Sequence, residues 1–171
     1  AKVLTEHNYL EALISSNIEV HLEKFSQFKV TDSGLYILCP DFDLESITGE
    51  RYLKVGMTIE QKGLRGRLGA HFSSSSRVKN GKLTSGTVLA RHIYNDNTLA
   101  EHFKLDFTNQ EDRRSFLKNQ CYFKVLPLPK FNWENDTQKT VSGRKLKEIE
   151  SQQIESPLRS KIRYIGSVGV R

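Results

Sequence analysis

In the run YLKVGMTIEQKGLRGRLGAHF, Tyr52 to Phe72, an arginine and a histidine fall four positions apart. On a helix Arg67 and His71 therefore share one face. A permanent cation beside an imidazole suits a phosphate, since the guanidinium grips oxygens while the imidazole can bond or relay a proton. Arg65 is only two positions from Arg67, so it cannot point the same way, and it reads as an outward phosphate contact. Hydrolysing a phosphodiester needs a base for water, a cation on the phosphate, a metal at the leaving oxygen and a frame that positions them. Tyr36 and Lys54, at two apolar runs, offer a phenol and an amine, and a later helix offers a carboxylate.

The elements that must position these groups follow from pattern. Asn8 to Phe25 reads as an amphipathic packing helix, with Leu10, Leu13, Ile14 and Ile18 on the helical period. Ser33 to Pro40 is a short apolar strand closed by proline, and Tyr52 to Gly56 a second, joined by a polar, turn-rich connection. Gly56 is expected to let the chain turn closely off that strand. Helices are expected over Leu64–Phe72, Val88–Tyr94 and Asn109–Asn119, with a polar loop over Ser73–Gly86. Cys121 to Leu128 is the third strand. The last helix covers Arg144 to Ser156 and stops before Pro157. The expected architecture is a small α/β (α+β) domain: a three-stranded, mainly antiparallel sheet flanked by helices, with residues 1–33 as an N-terminal helical extension and 34–171 as the main domain.

Charge narrows the class of partner. The chain of 171 residues carries a net charge of +6. Distribution says more: between Gln61 and Asn95 there is no Asp or Glu, yet Lys62, Arg65, Arg67, Arg77, Lys79, Lys82 and Arg91 all fall there. Such a field is the footprint of polyanion binding, although a solvated basic face gives the same pattern. A second basic stretch, Lys139 to Arg171, is interrupted by Glu148, Glu150 and Glu155. No apolar run approaches the ~20 residues that span a bilayer, and no secretion signal is seen, so an intracellular protein without a membrane partner is expected. Cys39 and Cys121 form no CxxC and read as reduced thiols.

The residues in order resemble the GIY-YIG nuclease superfamily. Gly34-Leu35-Tyr36 stands for the first tripeptide and Lys54-Val55-Gly56 for the second, with lysine where tyrosine is usual. Arg67 with His71 matches the R-x-x-x-H helix, and Glu150, four before Ile154, matches the glutamate helix. Periodicity agrees with that choice, since Leu146, Glu150 and Ile154 share one face, and Glu148 and Glu155 are expected to point away. The resemblance spans Gly34 to Ile162.

It implies a metal-dependent DNA endonuclease of restriction or mobile-element kind, with RNA as a further substrate class and a homodimer if both strands are cut. Glu150 would hold one divalent ion, Mg²⁺ or Mn²⁺. Tyr36 would act as general base assisted by Lys54, Arg67 would bind the scissile phosphate, and His71 would hydrogen-bond Tyr36 or relay its proton. Arg65, Arg77, Lys79, Lys82 and Arg91 would contact nucleic acid. Each residue also fits a plain structural role: Tyr36 as core, His71 as a helix-end cap, Arg67 as a surface group, Lys54 on an edge strand. Asn132 and Trp133 fit a base-stacking loop or a packed one, and His7, His21, His92 and His102 read as structural. A catalytically inactive nucleic-acid-binding module on the same fold is the alternative function.

Overall fold

In the computed structural model of the chain, residues 6–74, 78–80, 82–83, 87–132 and 141–161 are described. In chain order the elements are α1 (Glu6–Ile14), β1 (Glu19–Val20), a 3₁₀ segment (Leu22–Gln27), β2 (Gly34–Pro40), α2 (Leu44–Thr48), β3 (Lys54–Thr58) and α3 (Gly63–Ser73). The hairpin β4 (Val78–Lys79) and β5 (Lys82–Leu83) follows, then α4 (Val88–Tyr94), α5 (Asn97–Phe103), α6 (Gln110–Gln120), β6 (Cys121–Pro127), a short 3₁₀ turn (Pro129–Phe131) and α7 (Val141–Lys161).

The main sheet is antiparallel and four-stranded, in the order β1-β6-β2-β3. Its central strand β2 is buried from Gly34 to Cys39, as its uninterrupted apolar run requires. Leu35, Ile37 and Cys39 face a cluster with Tyr9, Leu13, Val55, Leu128 and Leu158, which brings α1 and α7 onto one side. Tyr36 and Leu38 face Leu64, Leu68, Phe72, Leu89, Phe116 and Phe123, contributed on the other side by α3, α4, α6 and β6. The mixed α/β class and the antiparallel sheet agree with expectation, with one strand more. Cys39 and Cys121 are both free and buried.

The extra strand comes from the N-terminal segment. Its expected helix over Asn8–Phe25 ends at Ile14. Ser16 then donates from its hydroxyl to the Val125 carbonyl, and Glu19 and Val20 pair with Lys124 and Phe123. Serine and asparagine at 15–17 favour such local bonds over helix, so the chain becomes an edge strand. Tyr9 and Leu13 are core residues, which builds this segment into the same packed unit as the rest.

Three other departures have local causes. The short helices α2 and α5 were not expected, yet Asp43 caps the first through the Ser46 amide and Asp96 the second through the Leu99 amide. α7 runs through Pro157 instead of stopping before it, because Leu158, 2% exposed, anchors the next turn in the core. Gly56 does not turn the chain: β3 continues to Thr58. Its glycine has another reason, given next.

Candidate active site

The Tyr36 phenol is where the expected residues meet. β2 and β3 pair Tyr36 with Gly56, and a Cβ built on Gly56 would lie 2.4 Å from the Tyr36 hydroxyl oxygen. Glycine is therefore required so that the phenol can lie across the neighbouring strand. From α3, His71 Nε2 lies 3.1 Å from that hydroxyl, and Arg67 Nε donates to it at 3.5 Å. The four-residue spacing does bring both side chains to one point. Tyr36, His71 and Lys54 are all 5% exposed or less, and Arg67 is half-buried.

Burial sets the protonation of this group. It pushes the Tyr36 phenol above its usual range, against the opposing pull of Arg67. It brings His71 down to about 3, with the charges of Arg67 and Lys54 adding to the effect. His71 is thus a neutral imidazole, and its Nδ1 has no hydrogen-bond partner among the described residues. Moving the Tyr36 proton onto it would create a third cation beside Arg67 and Lys54. Of the two roles expected of His71, the bond to Tyr36 is present, and burial opposes the charged imidazole that a relay would pass through. Lys54 comes down to about 8, again mainly through burial, with Arg159 and Arg67 contributing and Glu155 opposing.

The end of α3 is held from α6. Ser74 takes a left-handed conformation that closes α3, its amide donating to the His71 carbonyl. Arg113, 1% exposed, donates to the Ser74 carbonyl and hydroxyl at 3.0 and 3.1 Å and to the Phe107 carbonyl at 2.8 Å. Gln110 donates to the Ser73 carbonyl at 2.9 Å. These bonds fix the turn that carries His71 and were not legible from spacing.

The expected carboxylate is not brought to this group. Glu150 is exposed on α7 and does not line the cavity beside Arg67. That cavity, of about 220 Å³, is lined by Arg67, Thr58 and Glu60 on one side and by Glu148, Ser151 and Glu155 on the other. The expectation anchored the helix on Leu146 and Ile154: Ile154 does pack, partly buried, against the core, the Leu146 side chain lies outside the described residues, and the fully buried positions are Ser151 and Leu158. Ser151, Glu155 and Leu158 turn inward, Glu148 shares their side of the helix and borders the cavity although it is exposed, and 150 lies well round from them. Glu155 acts electrostatically on Tyr36, Lys54 and Arg67. Carboxylate and hydroxyl oxygens around a cavity of this size suit a hard divalent ion that keeps several waters. Among the described residues no group of three or more His, Cys, Asp or Glu is arranged to hold a metal, although Glu60, Glu148 and Glu155 all border this cavity.

The basic face is divided. Arg65 does not point outward: its guanidinium donates to the Phe25 and Phe28 carbonyls and lies 5.2 Å from the Phe25 ring centre. Lys62, Lys79 and Arg91 are exposed. Arg77 and the Lys82 side chain lie outside the described residues, as does Trp133. Asn132 is a structural clamp, accepting from the Ser33 amide and donating to Asp32, both at 2.7 Å. His92, expected to be structural, lies within electrostatic reach of Lys54, and its buried Nδ1 has no hydrogen-bond partner among the described residues. Among the described residues no helix is long and apolar enough to cross a membrane. No family model, curated protein or solved structure matches this chain.

Proposed function

We propose that the chain is a metal-dependent endonuclease of the GIY-YIG kind, hydrolysing phosphodiester bonds in DNA. The observation that carries this reading is the meeting of Tyr36, His71 and Arg67 at one hydroxyl, with Lys54 and the Glu155 carboxylate in electrostatic range. A binding surface has no need of a buried phenol bonded by a neutral histidine and an arginine, with a carboxylate in electrostatic range.

Arg67 borders the cavity and has its Nε on Tyr36, so its position is fixed before a phosphate arrives, which is what electrostatic preorganisation requires. Neutral His71 keeps the phenol in place. Tyr36 has moved away from neutral titration while Lys54 has moved toward it, so Lys54 is the better base. As water oxygen bonds to phosphorus, its proton passes to the neutral Lys54 amine and the bond to the leaving oxygen breaks. A divalent ion held by Glu155 would supply charge neutralisation at the phosphate and leaving oxygen. Basic side chains at Lys62, Lys79 and Arg91 supply the long-range attraction to the polyanion.

The test is cleavage of supercoiled plasmid with Mg²⁺ by the wild type, Glu155→Gln and Glu150→Gln, with DNA binding measured in parallel. The reading expects cutting by wild type and Glu150→Gln, and binding without cutting by Glu155→Gln. It also expects a rate that rises with pH through about 8 and loses that limb in Lys54→Met. Binding by all three with a steep salt dependence and no cutting by any identifies a silent binding module.

A further inference from the structure

Glu155 already has a cation. One turn along α7, Arg159 places Nη2 on Glu155 Oε1 as an i, i+4 ion pair, with glutamate N-terminal to its partner, the favourable order. The carboxylate is 20% exposed and the guanidinium 44%, so the arginine stands toward solvent with the acid beneath it. Both charges act on Tyr36 and on Lys54, so the pair lies within electrostatic reach of the phenol although α7 packs on the other face of the sheet. A divalent ion using Glu155 therefore meets a carboxylate that is already engaged, in a neighbourhood holding two further cations, Arg67 and Lys54.

Building on the one-metal reading above, we propose that Arg159 is a positioning residue: it serves as the resident cation of Glu155 until a divalent ion displaces it, and so sets the metal concentration at which the site fills. In the unfilled site the pair keeps the acid oriented toward the cavity and prevents a lone carboxylate from being left beneath the rim. Because the guanidinium is half-exposed, the pair is a weak one and can be exchanged reversibly. A competing state of that strength weakens the apparent affinity of the incoming ion by about fivefold. Displacement also frees a half-exposed guanidinium one helical turn from the cavity-lining Glu155, available to a phosphate.

The experiment is titration of the full chain with Mn²⁺ alone, following the free ion by electron paramagnetic resonance, for wild type, Arg159→Gln and Glu155→Gln. The expected result is one weak site in the wild type, about fivefold tighter binding in Arg159→Gln, and loss of the site in Glu155→Gln. Equal or weaker binding by Arg159→Gln, with Glu155→Gln still losing the site, overturns the role of Arg159 and leaves the metal reading standing. Absence of binding by both wild type and Arg159→Gln overturns the two together. A thermal midpoint recorded on each sample separates a structural role, since that would shift the midpoint of Arg159→Gln and leave its Mn²⁺ affinity unchanged.

Discussion

The two halves of the candidate site are built to opposite rules. Tyr36, Lys54 and His71 are sealed between β2, β3 and α3, with exposures of 1%, 5% and 0%. Glu155 and Arg159 stand on one face of a long helix at 20% and 44%. Burial makes the first half rigid and shifts every titrating group in it, all toward the neutral form. The second half stands nearer solvent, where an ion pair can exchange partners. On the proposed one-metal reading, dividing the work this way would serve the site, because precise positioning and easy exchange need opposite degrees of solvation.

The sharpest way to separate the halves is acid. His71 titrates near 3 in the folded chain and close to its ordinary 6.5 when unfolded. Between those values the unfolded chain binds the extra proton, so stability falls as pH falls from about 6.5 toward 3. From pH 6.5 to 4 the loss from this group is roughly 3 kcal/mol at about 1.4 kcal/mol per unit. Urea midpoints at the two pH values measure it, and His71→Asn flattens the difference while Glu155→Gln leaves it largely intact. An undiminished slope in His71→Asn overturns the assignment.

Arg67 joins the halves, with its Nε on Tyr36 and its side chain against the cavity shared with Glu155. Truncation to alanine is expected to lower the cleavage rate about 10²–10³-fold, the range for a preorganised charge-stabilising donor. Arg67→Lys recovers little, since an ammonium cannot hold the phenol and a phosphate together through a planar fork. Single-turnover rates on plasmid DNA decide it.

Legibility divided along the same line. The strand pair and α3 are short elements with strong local signals, and Tyr36, Lys54, Arg67 and His71 are fixed within them by register and a four-residue spacing. On α7 the same reasoning chose Glu150, because several acids share the helix and sequence does not say which apolar residues touch the core. Leu158 beyond a proline was the anchor, and a proline reads as a stop. The N-terminal segment failed for a related reason: an edge strand of two residues has no period to detect. Arg65 illustrates a third limit, since a basic residue in a basic run carries no mark of being bonded to carbonyls.

Gly56 tests the rigidity of the sealed half directly. Gly56→Ala places a methyl group against the Tyr36 hydroxyl and ring, so the phenol or the strand must shift. The expected cost is about 1–3 kcal/mol, as for overpacking in a filled core. Chemical denaturation measures it, and the cost should shrink in a Tyr36→Ala background, where the obstructing ring is gone. Additive costs would place the obstruction somewhere other than Tyr36.

The smallest effects distinguish cations that are committed from those that are free. Arg65 and Lys79 lie in the same acid-free run, yet Arg65 is bonded to the Phe25 and Phe28 carbonyls while Lys79 is exposed. Arg65→Gln should therefore lower stability by about 1–2 kcal/mol, through loss of charge-assisted bonds, and leave the salt dependence of DNA binding unchanged. Lys79→Gln should do the reverse, leaving the denaturation midpoint in place and making the log–log salt slope shallower by up to ~0.9, the value for one phosphate contact. Binding isotherms at four salt concentrations with parallel melts are sufficient. If both variants flatten the slope equally, Arg65 leaves its carbonyls when DNA arrives, and the basic face is one continuous surface instead of a divided one.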